Sequence, residues 1–295
     1  FYTYYSPDSL AAITNYEAAI AKGPHLAEAY WRYGNFHLSR RWDAASALKL
    51  IFTGLKKQPD SWLLSRMLNS IGFIYLELAA YDKAEYYFDK ALVYSPDDYQ
   101  LINSKVYLYS MTLDRDKQFA HLQKVMELSP NNTGLMGLGM YYLMVEDYEK
   151  SAKYFDEYYT KASETASAGV MHLNHNYAYA LRKLGRTKEA SEKIEIALNA
   201  LHTATWDTDY DFAKIYAYKG QLDSMYFHLE EYISGDIRWG LSDHIEYDPL
   251  FDVIRDEPSF RQLVALAKNK VRLKREEVQQ LELLGVIPDS FDEFN

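Results

Sequence analysis

The sequence predicts an all-α fold of stacked helix pairs, and three observations carry that expectation. Only 13 glycines and 8 prolines occur in 295 residues, well below the ~12% of average usage and too few for the turns of a sandwich or barrel. No Asn-Gly or Asp-Gly pair occurs, so the strongest short hairpin signal is missing. Small and aromatic residues recur with a period near 34 residues: Pro96 and Pro130, each closing a helix-like segment, lie 34 apart. A fixed period of that length marks an array of helical hairpins.

Taken in order, residues 8–23 read as a lone second helix, with Ala12, Tyr16, Ala19 and then Pro24 at its spacing. Tyr30, Tyr33 and Gly34, followed by Ala47, Ile51, Gly54 and Pro59, outline the first full pair. The cleanest pair follows. Leu68, Ile71, Gly72 and Tyr75 share one helix face, and Tyr81, Ala84, Phe88 and Ala91 share a face of the next, with a turn at Leu78–Ala80. Tyr99 to Pro130 has the right length but a weaker pattern, with Val106 where a glycine is expected. Gly139, Tyr142, Tyr148, Ser151, Phe155 and Tyr158 make a further pair. Ala178, Leu181, Gly185, Ala190, Ile194 and Ala197 make another, and Ala213, Tyr216, Gly220, Met225, Leu229 and Tyr232 the last. The physical reading is that Gly72 and Ala84 are small because two helices cross there, while aromatic residues fill the gaps between pairs. The 28 tyrosines are thereby assigned mostly to packing.

This skeleton resembles the tetratricopeptide repeat (TPR) family. The resemblance covers about six repeats within residues 1–235, the first incomplete. It implies a right-handed superhelix of stacked hairpins. Residues 236–258 depart from the repeat, and residues 259–295 read as a C-terminal capping helix and tail. Phe260, Val264, Ala267, Val271, Val278 and Leu281 keep a 4-3 spacing there. The expected seat of this helix is the last repeat, with pairing to a second chain (a homodimer) as the other reading. The acidic tail from Asp289 to Asn295 is expected to fray. The run Tyr247-Asp248-Pro249-Leu250-Phe251-Asp252-Val253-Ile254-Arg255-Asp256-Glu257-Pro258-Ser259-Phe260, with the opening around Tyr5–Ile20, resembles the ends of TPR regions in bacterial transcription regulators and adenylate-cyclase-like signalling proteins. That second resemblance implies the sensory C-terminal part of a regulator, with an effector domain upstream of Phe1. Such a soluble segment belongs in the cytoplasm or on the periplasmic side of a membrane-anchored regulator.

Composition excludes several function classes. A net charge of −10 leaves no cation surplus to release counterions from nucleic acid. Zero cysteine excludes disulfides, thiolate metal sites and a cysteine nucleophile. Leu128 to Val145 is uncharged but broken by Ser129, Pro130, Asn131 and Asn132, so its apolar part is too short for a membrane span. Gly134, Gly137 and Gly139 read G-x-x-G-x-G, the wrong order for a dinucleotide loop, and Gly139 fits a helix crossing better. No P-loop, nucleophile elbow or H-E-x-x-H occurs. The basic run Lys268, Lys270, Arg272, Lys274 and Arg275 meets Glu276 and Glu277 and reads as a solvated face. No cofactor and no catalytic residue is expected.

Function is expected on the face formed by the first helix of each pair. The spacing places there Trp31, Arg32, Asn35 and Leu38; Arg66, Asn69, Phe73 and Glu77; Gln100, Asn103 and Tyr107; Met136 and Met140; His175, Asn176, Tyr179 and Arg182; and Tyr210, Asp211 and Lys214. Asn offers a donor and an acceptor to a peptide backbone, the aromatic rings are apolar anchors, and Arg grips carboxylates. The expected partner is therefore a peptide or protein in this groove. Two other readings are a stand-alone TPR adaptor and an aromatic-lined sensor of a small molecule such as a sugar. Arg32, Asn35, Arg66 and Asn69 echo the carboxylate clamp of chaperone-binding TPR proteins, but the lysines of that clamp are absent. His172 and His175, facing Asp207 and Asp211, form a minor metal-binding alternative.

Overall fold

The structure is a computed structural model that describes residues 9–129, 132–164, 174–202, 208–235 and 245–294. Among them every regular element is a helix and no strand occurs. The order is α1 (Ser9–Lys22), α2 (Ala27–Arg41), α3 (Ala44–Leu55), α4 (Ser61–Glu77), α5 (Tyr81–Tyr94), α6 (Tyr99–Met111), α7 (Arg115–Leu128), α8 (Asn132–Met144), α9 (Tyr148–Glu164), α10 (Asn174–Lys183), α11 (Thr187–His202), α12 (Asp209–Lys219), α13 (Leu222–Ser234) and α14 (Pro258–Leu283). Short 3-10 turns cover Pro249–Phe251 and Phe291–Phe294. No described helix is long and apolar enough to cross a membrane.

Adjacent helices pack as pairs: α2 on α3, α4 on α5, α8 on α9, α10 on α11 and α12 on α13. A recurrent turn folds each pair back on itself. One or two residues past the first helix of each pair, a residue lies in the left-handed region: Trp42 (φ 44°), Ala79 (52°), Glu146 (61°), Gly185 (77°) and Gly220 (73°); Leu113 (58°) does so after α6. Four of these turns show the same double hydrogen bond, as in Ala79 N to Leu76 O (2.9 Å) with Ala80 N to Tyr75 O (2.9 Å), and Glu146 N to Leu143 O (3.2 Å) with Asp147 N to Tyr142 O (2.9 Å). Gly185–Arg186 and Gly220–Gln221 repeat it. This pattern caps the carbonyls that a helix end leaves free. An aspartate then often starts the second helix: Asp43 accepts from Ser46 N (2.9 Å), Asp114 from Lys117 N (3.2 Å) and Asp147 from Lys150 N (3.1 Å). A helix stop and a helix start thus fit into two or three residues.

The chain divides into two compact units. Unit 1 holds Phe1–Leu113, Asp236–Leu241 and Ala267–Asn295. At its centre Gly72 sits against Phe88: a Cβ there would lie 2.5 Å from the Phe88 ring and 3.3 Å from Ala84 O. Tyr75 stacks on Tyr87 (centroids 5.5 Å, 10° between planes). Two expectations about the C-terminus are corrected here. The helix was expected on the last pair throughout; from Ala267 onward α14 belongs to unit 1, where Val278 is buried with α4 and α5. The tail from Asp289 to Asn295 was expected to fray; Phe291 within it is instead buried at 6% exposure, next to buried Ile287. The cause is a specific polar seat around that apolar contact. Tyr75 Oη donates to Glu282 (2.6 Å), Lys83 pairs with Glu282 (2.9 Å) and Asp289 (2.5 Å), and Lys90 pairs with Asp292 (2.7 Å). Arg275 donates to the carbonyls of Leu78 (3.4 Å) and Ala79 (3.2 Å). Burial first, and then Glu282, push the Tyr75 hydroxyl far above the ordinary phenol range.

Unit 2 holds Asp114–Gly235 and Ser242–Leu266. It repeats the same crossing: a Cβ on Gly139 would lie 2.7 Å from the Phe155 ring. Ser151 Oγ donates to Gly139 O (2.9 Å) at that point. Stacked tyrosines recur as well, Tyr142 on Tyr154 (5.6 Å, 2°) and Tyr159 on Tyr177 (6.0 Å, 11°).

Two stability outcomes follow from this geometry. Gly72→Ala should lower stability by about 1–3 kcal/mol, because fully buried Phe88 has nowhere to go; the helix-propensity gain of up to ~1 kcal/mol does not offset it. Glu146→Gly should raise stability by about 0.5–1 kcal/mol, since relief of ~1–2 kcal/mol of left-handed strain exceeds the entropic cost of glycine. Urea midpoints check both, and a fall for Glu146→Gly would contradict the turn assignment.

Candidate ligand-binding faces

The shared turn supplies a register for comparing first helices. Residues six and ten positions before the left-handed residue lie one turn apart on the same face. They are Phe73 and Asn69 in α4, Tyr107 and Asn103 in α6, Met140 and Met136 in α8, Tyr179 and His175 in α10, and Lys214 and Tyr210 in α12. In α2 the capping bonds are one residue longer, Trp42 N to Leu38 O and Asp43 N to His37 O, so Asn35 and Trp31 take these places.

In unit 1 this face is open. Trp62 and Tyr107 are 54% and 48% exposed. Trp31 meets Trp62 edge-on (6.4 Å) and anchors through Nε1 to Ser70 Oγ (2.8 Å). Arg32 lies 5.6 Å over the Trp31 ring and pairs with Glu28 at the surface (2.7 Å). Arg66 lies 5.9 Å over Trp62 and is ion-paired with Asp98. Phe73 is held edge-on by Phe88 (5.3 Å) and faces Tyr107 (6.3 Å). Asn69 Oδ1 is buried with no hydrogen-bond partner among the described residues. Gln100 is exposed, Asn35 is half-buried, Leu38 packs against the core, and Glu77 is buried.

In unit 2 the same register is covered by the chain itself. His175, Asn176, Tyr179 and Lys214 are buried at 0%, 4%, 3% and 6% exposure. The covering segment is Asp248–Asp252. Tyr210 Oη donates to Asp248 Oδ2 (3.0 Å) and Tyr179 Oη donates to Asp252 Oδ2 (3.1 Å). Phe251 packs on the Tyr210 ring (6.0 Å), and Leu250 enters the core with Ile215 and Tyr177. Asp248 also caps its own turn by accepting from Leu250 N (2.9 Å). Lys214 Nζ pairs with Asp211 Oδ1 (2.9 Å), 3.7 Å from His175 Nε2 on the same oxygen, and lies 4.4 Å over Tyr210. Arg182 donates to Tyr218 O (2.6 Å) and stacks on the Tyr218 ring (4.0 Å). Burial, with Lys214 as the main opposing influence, raises the Asp248 carboxyl above its usual range. Burial, reinforced by Asp248, lifts the Tyr210 hydroxyl well above its own.

The structure therefore separates the sequence-predicted residues. Trp31, Arg32, Asn35, Arg66, Asn69, Phe73, Asn103 and Tyr107 share the open face, while His175, Asn176, Tyr179, Arg182, Tyr210 and Lys214 lie under or beside the chain's own segment. Met136 and Met140 are partly buried against the core of unit 2. Of the metal alternative, His172 and Asp207 lie outside the described residues. Asp211 already carries the Lys214 ammonium on one oxygen, which opposes a cation there, and no group of three or more metal-binding side chains occurs among the described residues. Sequence reasoning passed over Trp62, although it stands four residues before Arg66 on the same face. It also missed Asp248 and Asp252 as occupants of the face. No known protein-family model matches the chain, and a search of curated proteins returns no match.

The buried acid sets a pH outcome. The folded chain holds the Asp248 proton more tightly than the unfolded chain, whose carboxyl titrates near 3.8. Its contribution is therefore full below that value and is lost as pH rises through the raised folded value. Relative to wild type, Asp248→Asn should gain stability as pH rises above about 3.8, as read from urea midpoints. A difference that moves the other way would contradict the assigned burial.

Proposed function

We propose that the chain is a TPR-type binding and regulatory module that recognises a peptide or protein through the open face of α2, α4 and α6, without turnover. The observation that carries this reading is the pair of half-exposed aromatic residues, Trp62 edge-on to Trp31 and Tyr107 facing Phe73, bordered by Arg32 and Arg66. Exposed aromatic and arginine side chains in one patch are the composition of a binding hot spot. Trp31 is pre-positioned by Ser70 and Phe73 by Phe88, so little rotamer freedom of these rings is lost on binding. The repeated turn and the glycine crossings support the TPR reading. The end motifs support a place in a bacterial transcription or signalling regulator, in which a ligand that favours one conformation biases an attached effector.

The test is selection of peptides from a random displayed library on the full chain, followed by fluorescence anisotropy of the selected peptides. Trp62→Ala should weaken them at least tenfold, about 1.4 kcal/mol or more. Folding stability should stay within about 0.5 kcal/mol, because the side chain is largely exposed. Unchanged affinity for every selected peptide would remove this face from the site.

A further inference from the structure

From Ala267 onward α14 buries one stripe in unit 1, with Ala267, Val271 and Val278 on it. The opposite side of the same helix carries a second stripe. Leu273, Glu277, Gln280 and Leu284 follow one another at a 4-3-4 spacing, which sets them on one face. All four are exposed, the two leucines by 52% and 73%. Leu284 keeps the helical register, since its N–H donates to Gln280 O (3.0 Å). Leu283 and Val286 are exposed beside it, and apolar side chains grouped in solvent in this way mark an interaction surface.

We propose that this stripe is the interface of a symmetric, antiparallel homodimer. Run against itself in the opposite direction, the stripe sets Leu273 on the partner's Leu284 and Glu277 on the partner's Gln280, followed by the same two layers in reverse. Leucine meets leucine, and a glutamine amide donates to a glutamate carboxylate. A two-fold interface requires this self-complementarity, because each contact from i to j is also made from j to i. Charge decides the direction. Parallel copies would set Glu277 on the partner's Glu277, acid on acid in the middle of the stripe. Antiparallel copies instead lay residues 268–275, with five basic side chains and no acid, beside the partner's 282–289, with Glu282 and Asp289 in it and no base. Within each chain those two acids share the single Lys83 ammonium, so a negative charge remains there. Lys274 stands 3.6 Å from Glu277 in a surface pair of the kind worth little, which leaves the carboxylate able to accept from glutamine.

Light scattering on the full chain as it leaves a size-exclusion column tests the association. At about 100 μM chain the mass should be twice the 34.4 kDa of one chain. Leu284→Lys should return it to a single chain with an unchanged melting curve, because that side chain stands in solvent before association. Gln280→Glu, which sets acid on acid in the two central layers, should weaken association roughly tenfold or more. A single-chain mass for the wild type, or a dimer indifferent to both substitutions, would overturn the proposal. Direction is read with introduced cysteines, which report cleanly because the chain has none of its own. Under mild oxidation a mixture of the Leu273→Cys and Leu284→Cys variants should form the mixed disulfide, and neither variant alone should cross-link. Self-cross-linking of Leu273→Cys would mean parallel copies, and absence of the mixed disulfide a different interface; either result overturns the layering.

Discussion

Two helices nest closely where one of them presents a small residue or none at the crossing, and this protein depends on that close approach in both units. At Gly72 a Cβ would stand 2.5 Å from Phe88, and at Gly139 one would stand 2.7 Å from Phe155. Large aromatic rings take the space the glycines leave, and these rings, with their stacked tyrosine neighbours, form much of each core. A pair so closed buries its apolar stripe only against the next pair, which is why the period runs on along the chain.

The crossing and the left-handed turn together fix the rotation of every first helix. Positions six and ten before the turn, or seven and eleven in α2, fall on one face of their own helix, and the chain uses that face differently in each unit. In unit 2 the register is filled by Asp248–Asp252, so its His, Lys and Tyr side chains serve internal packing and hydrogen bonding. In unit 1 it is left open, with Trp62 and Tyr107 at the surface. Conservation of geometry with a change of occupant is the physical basis for treating unit 1 as the binding face.

Much of this was legible in the sequence, because helix pairs are local objects. The skeleton from Leu68 to Ala91 identified the pair α4–α5, the crossing glycine and the buried aromatics without any distant information. The spacing also placed candidate face residues on each first helix. Their accessibility was not: nothing near Tyr179 in sequence announces that Asp252 will cover it. The docked tail was equally hidden. Phe291 read as part of a fraying end because the partners of this segment on α4 and α5 lie about two hundred residues away, and a contact of that range leaves no periodic trace. The turns were half legible: Gly185 and Gly220 announce a left-handed stop, whereas Trp42, Ala79 and Glu146 adopt it without glycine, held by the capping bonds and, at Trp42 and Glu146, the aspartate that follows.

The central claim is that one register is open in unit 1 and covered in unit 2. Hydroxyl-radical footprinting of the intact chain, read by mass spectrometry at single residues, tests it most directly. Trp62 and Tyr107 should be modified rapidly and Tyr179 slowly, in line with exposures of 54%, 48% and 3%. Equal modification of Tyr107 and Tyr179, or protection of Trp62, would contradict the account.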